Sequence, residues 1–301
     1  MSRDDRAVIF DVQRFSLHDG PGIRTVVFFK GCALDCAWCH NPEAVRPSPE
    51  LAYWVERCME GCHECVGACP ERALADRRDG RVDWPRCTHC GLCAEACPAD
   101  ALVVVGRERS ADDLLVEILR DRPFYERSGG GVTFSGGEPA LHSAFLRRFL
   151  PMAKARGLHL ALETAGACPW NLLEPLLDHL DLVLYDLKVM DGDEHRRLTG
   201  RDNADIQANL RLLLARGTNV EVRLPVVPGC NTDDGNVRAT ARFLNRLGAS
   251  RLTLLPYNHL WEAKLPALDT SRAPLGIRPP DRAFYDELRE RFSLHGIQAT
   301  C

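Results

Sequence analysis

Gly31-Cys32-Ala33-Leu34-Asp35-Cys36-Ala37-Trp38-Cys39-His40 decides how this chain is read. Its three thiols, spaced x3 then x2, follow directly on residues 25–29, a β-branched and aromatic run that reads as a strand. Three protein ligands on a four-iron cubane leave one iron open, and an open position is how a metal site takes hold of a substrate. The competing reading is a zinc site completed by a more distant ligand such as His40. Zinc knuckles, however, usually pair two x2 spacings.

Downstream of this run, short β-rich stretches alternate with helical ones. Residues 132–134 read as a strand ending in Ser135-Gly136-Gly137, and further strands fall at 159–163, 182–187, 220–227 and 251–256. Helices are expected over 141–156, in a long region reaching 216, and over 233–247. With 25–29 counted, six βα units result, which implies a partial (β/α)6 barrel rather than the full eight. Chemistry in such folds gathers at the C-terminal ends of the strands. Here those ends carry Cys32, Gly136, Gly137, Glu138, Glu163, Asp186, Lys188, Arg223 and Asn258.

Cysteine is the informative residue elsewhere. Of 14 in the chain of 301 residues, 11 lie between positions 32 and 97. Clustered soft donors in a mid-sized chain point to metal ligation, not to a disulfide scaffold. Between 47 and 105 an insertion holds Cys58, Cys62, Cys65 and Cys69-Pro70, then Cys87, Cys90, Cys93 and Cys97-Pro98. The chain therefore divides into 1–46, 47–105 and 106–301. Residues 266–280 read as a Pro-rich loop before a last helix at 281–292, and Cys168, Cys230 and Cys301 have no partner spacing. A net charge of −4 with Arg interleaved among Asp and Glu excludes a phosphate-neutralising nucleic-acid binder. No apolar run approaches the roughly 18 residues of a membrane span, and charges occupy the start where a secretory signal is apolar. A cytoplasmic protein is expected.

Asp19-Gly20-Pro21-Gly22-Ile23-Arg24-Thr25, then Phe28-Phe29-Lys30-Gly31-Cys32, then Trp38-Cys39-His40-Asn41-Pro42-Glu43 resemble the glycyl radical enzyme activating enzymes. These belong to the radical S-adenosylmethionine superfamily, and the likeness continues to Pro256-Tyr257, most of the chain. The resemblance implies an anaerobic oxidoreductase in which Cys32, Cys36 and Cys39 hold a 4Fe–4S cluster that S-adenosylmethionine chelates. One electron then frees a 5′-deoxyadenosyl radical, which takes a hydrogen from a glycine of a partner glycyl radical enzyme. It further implies Trp38 beside the adenine and Gly136-Gly137-Glu138 at the methionine amino group. Glu163 falls in the family's Glu-Thr-x-Gly element, Asp186 and Lys188 serve the methionine moiety, and a monovalent cation sits near Asp186 or Glu163. Arg223 would face the carboxylate, where its planar fork suits a bidentate contact. Asn258 stands where relatives carry His, by the ribose. Plainer readings exist for two of these, a core aromatic for Trp38 and a simple ion pair for Asp186 with Lys188.

The insertion resembles bacterial two-cluster ferredoxins, in which each run's fourth cysteine serves the other cluster. Carried over, Cys58, Cys62, Cys65 and Cys97 hold one 4Fe–4S cluster; Cys87, Cys90, Cys93 and Cys69 hold the other. The first run departs from the pattern by opening x3. Three clusters in all imply electron relay from a donor such as flavodoxin or ferredoxin, and a monomer is expected. The alternatives are a radical enzyme acting on a small molecule or peptide, and a non-catalytic iron–sulfur protein.

Overall fold

A strand covered on both faces must be apolar nearly throughout, and Arg24-Thr25-Val26-Val27-Phe28-Phe29 meets that demand except at its polar start. In the computed structural model, which describes residues 5–301, this segment is buried along its length apart from half-buried Phe28. The strands in chain order are β1 (Arg6–Ser16), β2 (Arg24–Phe29), β3 (Glu50–Tyr53), β4 (Leu102–Val105), β5 (Arg107–Ser110) and β6 (Gly131–Gly136). There follow β7 (Leu160–Thr164), β8 (Leu182–Asp186), β9 (Val220–Pro225), β10 (Arg251–Leu255) and β11 (Gln298–Thr300).

Nine of these form one sheet in the order β11-β10-β9-β8-β7-β6-β2-β1-β5. From β2 to β11 along that order every neighbouring pair is parallel, whereas β1 pairs antiparallel with both β2 and β5. The six strands expected from sequence are consecutive neighbours, giving an α/β fold built on a parallel sheet. Three strands extend it beyond that expectation. The β1–β2 pairing slips register twice, between Ile9 and Asp11 and between Gln13 and Ser16, which blurs the period-two pattern. β11 has only three residues, too few to signal.

The expected long helix before 216 is two helices, Gly192–Thr199 and Ala204–Ala215. Gly200, at φ 80°, ends the first in the left-handed conformation that glycine takes without strain. Asn203 then holds the link, its amide donating to the Val189 and Met190 carbonyls at 2.8 and 2.9 Å. The helix Ser143–Lys154 shows how the sheet is covered. It buries Phe145, Leu146, Phe149 and Leu150 on one stripe, and Phe149 meets Phe134 of β6 edge-on at 5.6 Å.

Within the insertion, β3 and β4 pair antiparallel, Glu50 opposite Val105 and Tyr53 opposite Leu102. Short helical turns at Glu64–Ala68 and Leu92–Glu95 lie between them. Leu51, Tyr53, Cys65, Leu74, Cys93, Ala101 and Leu102 form a hydrophobic cluster separate from the main core. The insertion is tied to the sheet by a buried charge. Lys30, just past β2, donates to Glu50 Oε1 at 2.5 Å and to the Glu43 carbonyl at 2.6 Å. Burial pushes the Lys30 ammonium below its ordinary pKa, and Glu50 opposes that push.

Removing one member of such a pair leaves the other charged and dry. Glu50→Ala should cost about 3–5 kcal/mol of apo-protein stability in urea unfolding, while Lys30→Met with Glu50→Leu should come near wild type. An unchanged midpoint for Glu50→Ala would show that the pair does not bear on the fold.

Candidate active site

The loop after β2 is shaped by backbone hydrogen bonds. Gly31 N–H donates to the Ala44 carbonyl at 2.6 Å and Cys32 N–H to that of Val45 at 3.2 Å, closing the loop at its base. Farther out, Asp35 and Ala37 N–H donate to the Thr199 and Leu198 carbonyls at 2.7 and 2.9 Å. The Leu198-Thr199-Gly200 segment is thus the shelf on which the cysteine loop rests. Leu34 N–H points at Cys32 Sγ, 3.4 Å away.

Gly136 and Gly137, at the end of β6, face this loop. A Cβ on Gly136 would run into the Phe29 backbone, and one on Gly137 into the Gly31 carbonyl. Gly137 and Glu138 N–H donate to the carbonyls of Phe29 and Gly31 at 2.9 and 2.8 Å. The glycines are therefore required by backbone approach within the protein.

Cys32, Cys36, Cys39, Trp38, Gly136, Gly137, Glu163, Asp186, Lys188, Arg223 and Asn258 line one cavity of about 1580 Å³, including its open mouth. Glu138 does not line it. The sequence reading put its carboxylate at a bound ammonium, whereas the structure turns it beneath the strand ends. There Oε1 accepts from Thr164 Oγ1 at 2.6 Å and from Ala140 N–H at 3.2 Å, and Oε2 accepts from Ala165 N–H at 3.2 Å. Burial raises its pKa, against those three donors. Asn258 is partly committed as well, since its Oδ1 accepts from Leu260 N–H at 2.7 Å. Its amide nitrogen is left for the cavity.

Charge in the cavity is arranged around Arg223, which is 2% exposed. Its guanidinium bridges Glu163 and Asp186, donating to Asp186 Oδ1 from Nε at 3.0 Å and Nη2 at 2.9 Å. Lys188 Nζ lies 3.5 Å from the other oxygen of Asp186. Burial alone would raise the Asp186 pKa, but Arg223 and Lys188 outweigh it and hold the carboxyl below its usual range. The plain ion pair is thus present, and it sits inside the cavity. Burial pushes the Cys32 thiol up to about 12 and the Cys36 thiol up to about 11. Unligated, both thiols are protonated at neutral pH, so a metal that binds them must displace protons.

Sequence reasoning missed several contributors. His18 and Asp19 line the cavity from the segment before β2. Buried Arg24 pins that segment, donating to the Val132 carbonyl and Thr133 Oγ1 at 2.7 Å and to the Pro21 carbonyl at 3.1 Å. The turn-rich Asp-Gly-Pro-Gly run was the available signal. The stretch read only as a Pro-rich loop, together with the short helical segment Leu260–Ala267 that leads into it, proves to be a clamp. Arg272 pairs with Asp35, Lys264 donates to the His40 carbonyl at 3.0 Å and Glu43 Oε1 at 2.6 Å, and Arg46 meets Asp269 at 2.9 Å. Nothing local in the sequence announces contacts across more than 220 positions.

The insertion's cysteines ring two small cavities. Cys58, Cys62, Cys65 and Cys97 line one, and Cys69, Cys87, Cys90 and Cys93 line the other. Among the described residues no three His, Cys, Asp or Glu side chains converge where a single ion would sit.

Residues 85–244 match the radical SAM superfamily, and residues 18–53 match the 4Fe-4S single cluster domain. A radical SAM methyltransferase from Sphaerobacter thermophilus shares the fold, with a TM-score of 0.53 at 15% identity over 97% of this chain and 76% of that one. The sheet, the three-thiol loop at its strand ends and these matches define a radical S-adenosylmethionine protein. The isethionate sulfite-lyase activating enzyme of Oleidesulfovibrio alaskensis is 44% identical over 276 residues, covering 89% of each chain. The (2S)-3-sulfopropanediol dehydratase activating enzyme of Klebsiella oxytoca is 36% identical over 99% of this chain and 97% of its own. The chain belongs to the glycyl radical enzyme activating enzymes. It is accordingly an oxidoreductase that uses an iron–sulfur cluster and S-adenosylmethionine to generate a radical for a partner enzyme. No helix among the described residues is long and apolar enough to cross a membrane.

The depressed Asp186 carboxyl has a pH consequence. A lowered folded pKa adds stability above the unfolded value of about 3.9, and that stability is lost as pH falls through the folded value. Between pH 5 and 3, urea midpoints of the apo protein should therefore fall less for Asp186→Asn than for wild type. An equal or steeper fall would mean that Arg223 and Lys188 do not hold the carboxylate as described.

Proposed function

We propose that this chain installs a glycyl radical on a lyase or dehydratase whose substrate is a short-chain sulfonate, using one cluster at the strand ends and two in the insertion. The single cavity that joins Cys32, Cys36 and Cys39 to Glu163, Asp186, Lys188 and Arg223 supports this most. The sulfonate assignment is supported by the two relatives, one named for isethionate and one for sulfopropanediol.

Cys32, Cys36 and Cys39 would hold a four-iron cluster, which when bound would supply the electron that breaks a sulfur–carbon bond of S-adenosylmethionine to give methionine and a 5′-deoxyadenosyl radical. The partner's glycine Cα loses a hydrogen atom to the 5′ carbon, leaving the glycyl radical and 5′-deoxyadenosine. The chain's own residues bind and orient. Lys188 and Arg223 supply positive charge for the methionine carboxylate. Glu163, Asp186 and the Gly136-Gly137 backbone supply acceptors for its ammonium. Trp38 offers a flat apolar wall to the adenine, and the Asn258 amide offers a donor to the ribose. Glu138 acts beneath the site, holding the Thr164-Ala165 turn against the cysteine loop. A monovalent cation would use Glu163 and Asp186, which Arg223 already neutralises in part. The crossed thiol sets around the two insertion cavities support the two-cluster reading, with electrons supplied by a small flavodoxin- or ferredoxin-type protein.

Anaerobic mixing of the reconstituted protein with S-adenosylmethionine, a reductant and isethionate sulfite-lyase should give an organic-radical doublet in the electron paramagnetic resonance spectrum, absent for Cys36→Ala. Deoxyadenosine without a doublet would reject that partner, and no deoxyadenosine from loaded protein would reject the chemistry. Loaded wild type should hold about twelve irons per chain, and a Cys65→Ser, Cys93→Ser double variant about four.

A further inference from the structure

The two thiol-lined cavities of the insertion are not equivalent in position. Leu51 lines the cavity of Cys69, Cys87, Cys90 and Cys93, and Tyr53 lines that of Cys58, Cys62, Cys65 and Cys97. Both residues belong to β3, whose first residue, Glu50, is bound to Lys30 beside the cysteine loop. The Leu51 cavity is thus the inner one and the Tyr53 cavity the outer. His89, in the inner thiol run, accepts from Leu51 N–H at 3.0 Å and lies 3.4 Å from Asp269 of the C-terminal clamp.

Nor are they equivalent in charge. Arg81 lines the outer cavity and is 3% exposed. Its Nη1 donates to Cys65 Sγ at 3.2 Å and its Nη2 to the Cys62 carbonyl at 3.0 Å, while Nε has no partner. Its backbone is fixed too, the carbonyl accepting from Ala75 N–H at 2.8 Å. Among the described residues no carboxylate lies within ion-pair distance of it. Among the described residues no Arg or Lys lines the inner cavity; Glu71 lines it instead. Among the described residues its sulfurs receive only backbone donors, Ala73 N–H to Cys69 at 3.3 Å and His89 N–H to Cys87 at 3.4 Å. The cations beside it are turned elsewhere: exposed Arg86 donates to the Glu71 carbonyl at 2.7 Å, and Arg46 stops at the far ring nitrogen of His89 and is paired with Asp269 at 2.9 Å.

We propose that Arg81 separates the two insertion clusters in reduction potential, making the outer one, held by Cys58, Cys62, Cys65 and Cys97, the more easily reduced. Adding an electron makes a thiolate-ligated cluster more negative. A buried, unpaired cation that donates to a ligand sulfur stabilises that reduced state. The inner cluster, beside a carboxylate and without a buried cation donating to its sulfurs, is stabilised less. The outer cluster therefore fills first and holds the electron at the end of the insertion farther from the cysteine loop. This rests on the two-cluster reading above.

The test uses the full chain carrying Cys36→Ala, which leaves only the insertion clusters, in a potentiometric titration followed by electron paramagnetic resonance. Two midpoints are expected. Adding Arg81→Met should move the higher one to more negative potential and leave the lower in place, and Arg81→Lys should move it less. Unmoved midpoints, or movement of the lower one alone, would overturn the proposal. Should Arg81→Met fail to load the outer cluster, an unshifted Arg81→Lys overturns it and a shifted one supports it. Iron content separates the two levels of inference. About eight irons per chain in the Cys36→Ala protein sustains the two-cluster reading, and zinc or no metal there ends both.

Discussion

No side chain fits between the end of β2 and the end of β6. Gly31, Gly136 and Gly137 bring two backbones into direct hydrogen-bonded contact there, and a Cβ on either β6 glycine would force them apart. Everything in the site follows from that approach. The cysteine loop leaves β2 across the sheet's edge of strand ends instead of away from it. Its thiols then face Asp186, Lys188 and Arg223, which β8 and β9 deliver to the same edge. Parallel strands put their C-termini on one side; the glycine contact decides that the thiols arrive there as well.

Around that contact the protein spends buried charge in two different ways. Lys30–Glu50 and Glu138 are structural. The first ties the insertion to the sheet, and the second replaces missing main-chain partners for the Thr164-Ala165 turn. Arg223 and Lys188 instead remain on the cavity wall with Glu163 and Asp186, two cations balanced by two carboxylates. Buried charges that are mutually paired cost less than isolated ones, and a bound zwitterion such as methionine can exchange partners with them without exposing any to an apolar surface. Glu138 was read from its motif as a ligand-facing carboxylate; its neighbours claim both of its oxygens.

The C-terminal segment has the opposite character. After the short helical segment Leu260–Ala267 it makes no regular structure up to the last helix, yet Lys264, Asp269 and Arg272 reach the cysteine loop and the residues beside the insertion. Passing from a short helical segment into irregular chain, it places three charged side chains at three unrelated points, which a single helix with its fixed face could not. The clamp joins the cysteine loop to the inner thiol run through Arg46, Asp269 and His89, so the two cysteine-bearing regions share a charged border.

Much of this was legible in the sequence because it rests on local order. The six parallel strands show as buried apolar runs, and cysteine spacing marks the ligand loop within a single turn of chain. The alternating pattern places Glu163, Asp186 and Arg223 at strand ends. What stayed hidden is long-range. β1 slips register against its partner and β11 is three residues long, so neither carries a period. Arg81 looks like one of many surface arginines until the Leu74–Val82 bridge folds it against Cys65. By itself the sequence determined which donors exist, on which elements, and hence the family of chemistry, because ligand type and spacing are local properties of the chain. Only the tertiary structure decided where each charge points. Whether a buried group faces a cavity, a thiol or another carboxylate depends on residues 16 to 237 positions away, and no local pattern encodes that.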